Sequence, residues 1–223
     1  FMPAVMGIIA DRWIPAQKLL GICHLVSGGF LIAAASQTAY GPLYSCMLLS
    51  VMFYMPTIAL SNSVAYNALD LARLDTVKHF PPIRVWGTVG FIAAMWFVDL
   101  THIGGVQIKL TEWQLYVSAV LSFLLAVYSF SLPGCPVDRN VKARSWVDTL
   151  GLRAFTLFKE KRMAIFFVFS MLLGAALQIT NAFGDSYIQS FGSMPQYADS
   201  AIVKHSVILL SLSQMSETFC ILL

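Results

Sequence analysis

The chain has 223 residues, of which 58% are hydrophobic and 11% charged, with a formal net charge of +3 and a mean hydropathy of +0.73. Soluble domains carry about a quarter charged residues, and a water-soluble core cannot hide this much apolar surface. Composition therefore excludes a soluble enzyme or binding module and requires an integral membrane protein. Long unbroken apolar runs, in place of the alternation of a barrel strand, predict helices.

A partial apolar run over 1–10 leads the chain, and spans are predicted over 19–37, 42–68, 82–100, 113–132, 162–191 and 201–223. About twenty helical residues at ~1.5 Å each cross a ~30 Å hydrocarbon core. The 42–68 run exceeds that and must tilt, kink at Pro56 or project from the bilayer. Pro81 and Pro82 are expected to open the 82–100 helix, as proline can in a first turn. Gly28 and Gly29 allow a close helix approach. The chain opens inside "FMPAVMGIIA" and closes inside "CILL", so a piece of a longer polytopic protein is expected.

Segments 11–18, 69–81 and 133–162 hold eleven of the fourteen Lys and Arg residues, whereas 38–41, 101–112 and 192–200 hold only Lys109. The positive-inside rule places loops 11–18, 69–81 and 133–161 in the cytoplasm. The net charge thus reflects topology, and no nucleic-acid partner is expected. Within 133–161, Pro133, Gly134 and Pro136 precede a basic stretch in which Leu152, Phe155 and Phe158 recur at helical spacing. An amphipathic surface helix in a linker between two bundles is expected there. Cys23, Cys46, Cys135 and Cys220 are scattered without a CxxC pair, so neither a zinc site nor a disulfide framework is expected.

Polar residues inside the spans carry the functional reading, because lipid offers them no partner. Gly7, Asp11 and Arg12 form a Gly-x-x-x-Asp-Arg turn at a cytoplasmic helix end, a mark of the major facilitator superfamily. Arg84, Thr88 and Phe91 recur at i, i+4 and i+7, one helix face. Arg84 alone would also serve as a headgroup anchor, and Thr88 as a packing hydroxyl. Gln178 and Asn181 lie three apart, which favours a polar cavity over a single amide clamp, with Asp185 nearer the outer surface. Gln214 and Glu217 repeat that spacing. Burial favours a protonated carboxyl over a charged one, so Glu217 can carry a proton; the structural alternative is a hydrogen bond to Gln214 or to another span. Asn62 and Tyr66 suit gating or packing, His24 an interhelical hydrogen bond, and Lys204 and His205 an outer end within reach of water. No nucleophile–base pair, metal motif or phosphate loop is visible, so neither an enzyme nor a cofactor is expected.

Four phrases, "MPTIALSNSVAYNAL", "FPPIRVWGTVGFIAAMW", "LFKEKRMAIFFVFSMLLGAALQITNAFG" and "SLSQMSET", stand in one order along the chain. Together they resemble the nucleoside:proton symporter family of the major facilitator superfamily, the bacterial nucleoside permeases. The resemblance implies an all-α, twelve-helix fold of which this sequence covers the end of the second helix through most of the eighth. Residues 1–132 would be the N-terminal bundle without its first helix, 133–161 the cytoplasmic linker, and 162–223 the start of the C-terminal bundle. Family nucleoside contacts carry over onto Arg84, Thr88, Phe91, Gln178, Asn181, Gln214 and Glu217, with an aromatic pair and an aspartate lying past residue 223.

The chemistry suits a nucleoside. Amides on Gln178, Asn181 and Gln214 offer donors and acceptors to a base edge, and Arg84 and Glu217 can meet ribose hydroxyls. Phe91 can stack on a base, worth roughly 1–3 kcal/mol. The expectation is proton-driven nucleoside import across a bacterial inner membrane, with nucleoside, proton and lipid as partners and Glu217 as the leading proton carrier, the aspartate past residue 223 being its competitor. The alternatives are a facilitator-type transporter of another polar solute, such as a sugar, and a membrane receptor that does not transport.

Overall fold

In hydrocarbon every backbone N–H and C=O needs a partner within its own segment, so apolar runs of this length fold as helices. The computed structural model describes residues 2–137, 158–197 and 200–222. Its helices are α1 (Met2–Arg12), α2 (Ala16–Ala35), α3 (Tyr40–Leu71), α4 (Thr76–Leu100), α5 (Trp113–Ser129), α6 (Lys161–Ser190), α7 (Ala201–Lys204) and α8 (Ser206–Leu222). A small hairpin pairs β1 (His102–Ile103) antiparallel with β2 (Val106–Gln107). The architecture is the expected all-α polytopic one: α2, α3, α4 and α6 are each long and apolar enough to cross a membrane, and α5 is a shorter apolar helix. The amphipathic helix expected around Leu152 and Phe155 falls within 138–157, outside the described residues.

Several boundaries depart from the sequence expectation, each for a local reason. α4 starts at Thr76 and keeps Pro81 and Pro82 inside it. Asp75 sets this earlier start: its Oδ1 accepts the Val77 N–H at 2.9 Å, an N-terminal cap. The expected 201–223 span is interrupted, because His205 leaves the helical region (φ −116°, ψ 42°) between α7 and α8. The 101–112 loop contains the hairpin, whose Gly104 and Gly105 supply the two positive φ values, +61° and +83°, of its tight turn. α3 runs 32 residues through Pro56, about 48 Å of helix. It ends in a Schellman turn: Leu74 N–H bonds to Leu69 O and Arg73 N–H to Asp70 O, each at 3.0 Å.

The chain divides into two compact units that do not follow chain order, Phe1–Phe80 with Lys109–Leu152, and Pro81–Ile108 with Arg153–Leu223. In the first unit α2 packs on both α3 and α5. Small residues make that closeness possible. A Cβ on Gly21 would stand 3.0 Å from the Phe130 ring and 3.1 Å from the Ala126 carbonyl, and one on Gly28 would stand 3.2 Å from Ser122 Cβ. Gly29 meets nothing within 4 Å, so the close approach falls on Gly21 and Gly28 and not on Gly28 and Gly29. Ser27 and Ser50 hydroxyls bond to each other at 2.9 Å across α2 and α3. His24 is buried with its Nδ1 unpartnered, and its ring meets the Tyr54 ring edge-on, 6.5 Å between centroids.

The polar ends of the same unit are pinned. Cys135 N–H donates to Gln17 Oε1 at 3.0 Å, and Asn67 Nδ2 donates to Gly134 O at 3.3 Å. The segment leaving α5 is thereby fastened to the start of α2 and the end of α3. Burial pushes the Cys135 thiol above its ordinary pKa, with the Gln17 backbone opposing. Tyr66 packs on Phe80 at 4.4 Å, which supports packing over gating for that polar helix end.

Candidate functional site

Within the second unit, α6 and α8 meet where Gly184 offers no side chain: a Cβ there would come within 3.0 Å of Leu210. Above that contact, Asp185 binds two partners. Its Oδ1 accepts from Ser206 Oγ and its Oδ2 from Gln189 Nε2 at 2.7 Å. α4 reaches α8 through two further bonds, Trp96 Nε1 to Ser211 Oγ at 2.9 Å and His205 Nδ1 to Asp99 Oδ2 at 2.6 Å. The hairpin closes over the end of α4, where Gln107 Nε2 donates to Asp99 O and Ile108 N–H to Thr101 O, each at 3.0 Å.

All seven residues proposed to meet substrate belong to this unit. On α4, Val85 and Asp99 are the buried positions. Arg84 is exposed, Thr88 half-buried and Phe91 exposed. On α6 no residue is buried, and Gln178 and Asn181 are exposed. Between them Thr180 satisfies itself by donating to Ala176 O at 3.1 Å. The two amides have no such bond among the described residues. On α8 Gln214 is only 7% exposed. Glu217 lies within the helix three residues on, and its side chain is outside the described residues.

The scaffold therefore places the polar residues on three helices without joining them. Among the described residues no hydrogen bond links Arg84, Thr88, Gln178, Asn181 and Gln214 to one another. What the arrangement does chemically follows from the uncovered amides. Gln178 and Asn181 sit in the middle of a 30-residue apolar helix, where lipid contact is costly and an unpaired polar face needs water, solute or protein beside it. Asp185 and Gln189 continue the same face toward the end of α6, so the polar stripe starts at mid-helix and ends in a satisfied network. An apolar groove along Ala164, Ile165, Val168, Phe169 and Leu172 lies on α6 away from these residues and offers a nucleoside no polar group. Among the described residues no cluster of His, Cys, Asp or Glu could hold a metal ion.

Gly7, Asp11 and Arg12 of the loop motif all lie within α1. The turn closes after them, with Trp13 and Ile14 N–H both bonding to Ile9 O at 2.9 and 3.0 Å. Sequence reasoning passed over Asp75, Asp99, Gln17, Trp96 and Ser211. Asp99 carried a legible signal, an acidic residue at the last turn of an apolar run. The others differ from surface polar residues only in what they touch.

Comparison with known proteins supplies what the separate helices do not. The family model described as "Nucleoside H+ symporter" matches residues 1–223. Xanthosine permease of Escherichia coli (strain K12) is 51% identical over 221 residues, 99% of this chain and 52% of that protein. Nucleoside permease NupG of the same strain is 47% identical over 222 residues, 100% of this chain and 52% of that protein. A crystal structure of a mutant of the nucleoside transporter NupG superposes with a TM-score of 0.84 at 48% identity, covering 100% of this chain and 54% of that one. The chain thus spans about half the length of the curated relatives it matches. With a family match over every residue and a shared helical scaffold, the chain belongs to the nucleoside H+ symporter family.

Proposed function

We propose that the full-length protein containing this sequence imports nucleosides together with protons across a bacterial inner membrane by alternating access. The observation that carries this reading is the uncovered pair Gln178 and Asn181 at the centre of α6, in a family of nucleoside symporters. The relatives named as a xanthosine permease and a nucleoside permease support the substrate class. In this reading residues 1–132 and 162–223 belong to two bundles joined by 133–161, and Gly7, Asp11 and Arg12 form the cytoplasmic turn of the first. Gln178, Asn181 and Gln214 bond the base edge, Arg84 and Thr88 bond sugar or base oxygens, and Phe91 stacks. Such a site rejects solutes that leave its polar groups unpaired. Glu217 takes up and releases the proton.

The test is made on the full-length protein in liposomes, by recording internal acidification when uridine or xanthosine is added outside. Acidification driven by either nucleoside is expected, with loss of the signal and retention of nucleoside binding in Glu217→Gln. Acidification that survives the substitution moves proton coupling to another carboxyl. A folded wild type silent to both nucleosides removes the nucleoside reading, and a response to sugars in its place would favour another polar solute.

A further inference from the structure

Asp185 is an acidic residue inside an apolar helix, and the proposed transport reading gives it no task. In a proton-coupled transporter such a carboxyl is by default a candidate proton carrier. Its contacts point to a different use. Oδ1 accepts from Ser206 Oγ at the head of α8, and Oδ2 accepts from Gln189 Nε2 one turn on in α6. Ser206 is buried, and beside its bond a Cβ on Gly184 would stand 3.0 Å from Leu210. A glycine seam and a carboxylate with both oxygens accepting thus fix one end of α6 against one end of α8.

That fixed end sets the depth of the residues beyond it. The two helices run antiparallel, since Asp185 meets Ser206 while Gly184, one residue earlier, meets Leu210, one turn later. Gln178, Asn181 and Asp185 make one row on α6, and Ser206, Leu210 and Gln214 make one row on α8. At ~1.5 Å per residue, Gln178 lies about 10.5 Å along the axis from Asp185, and Gln214 about 12 Å from Ser206. The two amides therefore stand at nearly one depth, on the rows that Asp185 and Ser206 join. We infer that Asp185 is a positioning residue for the nucleoside site. With Ser206 it locks α6 and α8 in the register that levels Gln178 with Gln214, so that both amides reach one base edge. It acts through its acceptor oxygens and carries no transported proton. What the level amides hold rests on the proposed transport reading; the register is geometry alone. A slip of one residue would move Gln214 by about 1.5 Å, far outside the ~0.5 Å range of hydrogen-bond lengths. Lys204 on α7 and His205 at the break stand beside the lock, both engaged, His205 with Asp99. The lock needs a charge on neither.

The experiment uses the full-length protein in liposomes and compares uridine uptake in wild type, Asp185→Ala, Asp185→Asn and Ser206→Ala. Asp185→Ala should raise the KM about tenfold, the worth of one hydrogen bond to substrate. Ser206→Ala breaks the same bond from the other side and should raise it several-fold. Asp185→Asn still accepts from Ser206 and can bond Gln189 through its amide. Its KM should stay within about twofold of wild type, and uridine-driven acidification should persist. Asp185→Ala combined with Gln178→Leu should be no worse than the poorer single variant, because both act on one contact. Losses that multiply, a wild-type KM in Asp185→Ala, or acidification lost in Asp185→Asn with uridine binding kept, overturn the positioning role. The register is read separately, by pulsed electron resonance between spin labels on Ile165→Cys and Leu212→Cys, both exposed, with the native cysteines replaced. Asp185→Ala should displace the label distance by about 1.5 Å or more, the rise of one residue, and Asp185→Asn should not. Ser206→Ala stands in if the alanine variant at 185 does not fold. An unchanged distance overturns the lock. A wild type that takes up no uridine, with the displacement present in the variant, removes the transport reading and leaves the lock.

Discussion

The two compact units put their polar residues to opposite uses. In the first, polar side chains are fastened to the fold: Ser27 to Ser50, Gln17 to Cys135, Asn67 to Gly134. In the second, such bonds gather toward the end of α4 and the heads of α7 and α8, through Asp99, His205, Asp185 and Ser206. Farther along α6 the amides stay uncovered. Helix contact differs in the same way. α2 approaches α3 and α5 through glycines and buried hydroxyls, whereas α6 buries no residue at all. A membrane protein has little hydrophobic drive to press helices together, so close packing of small residues marks where the fold is held. Unpaired polar groups mark where it meets something else.

The largest expected effect lies in the packed unit. Gly21→Leu forces a side chain against the Phe130 ring and the Ala126 carbonyl, overpacking that costs roughly 3 kcal/mol. A fall in the apparent melting temperature in detergent by several degrees would be the sign. Gly29→Leu is its control, because a Cβ there meets open space and stability should stay near wild type. Equal losses from both would break the comparison, since close packing would then not distinguish Gly21.

In the open unit the same measurement should hardly move while transport falls. Gln178→Leu or Asn181→Leu removes an amide with no partner among the described residues, so stability should be unchanged or slightly higher. Nucleoside uptake should drop by about tenfold, the ~1.4 kcal/mol of one lost hydrogen bond to substrate. A loss of thermal stability with uptake retained would make these amides structural after all.

How much of this was legible in the sequence divides along the same line. Long apolar runs announce helices because hydrocarbon leaves the backbone no other solution, and the Lys and Arg distribution orders the loops. Boundaries were misjudged where one side chain decides. Asp75 caps α4 ahead of Pro81 and Pro82, and His205 interrupts the final span. The candidate faces were readable because Arg84–Thr88–Phe91 and Gln178–Asn181 repeat at helical spacing. The fastening bonds were not: the partners of Asp99 and Gln17 lie more than a hundred residues away, at His205 (|i−j| 106) and Cys135 (|i−j| 118), and no local pattern encodes such pairings.

A smaller effect sharpens the comparison at the pinned segment after α5. Burial raises the Cys135 pKa, so at pH 7 less of it is thiolate than in a solvent-exposed thiol. Alkylation by a small maleimide should be several-fold slower than for free cysteine at pH 7. The rate should climb as pH rises past the ordinary thiol range near ~8.5. Gln17→Ala, which releases the Cys135 N–H, should bring the rate toward that of the free thiol. Rapid labelling of the wild type would show that the segment is not held.

The smallest expected effect is a gain. Arg73 sits at φ 53°, the left-handed position that ends the Schellman turn between α3 and α4, a conformation in which a Cβ crowds the backbone. Glycine at that position carries no such crowding, though it gives the unfolded chain more freedom. Arg73→Gly should therefore raise stability by about 0.5–1 kcal/mol, near 2 °C in a chain of this size. Lys78, in the first turn of α4, keeps a positive charge on the same side, so orientation should not change. A melting temperature that falls on substitution would mean the guanidinium contributes more than the strained backbone costs. The turn would then be held by charge, and not by the close packing that holds the rest of its unit.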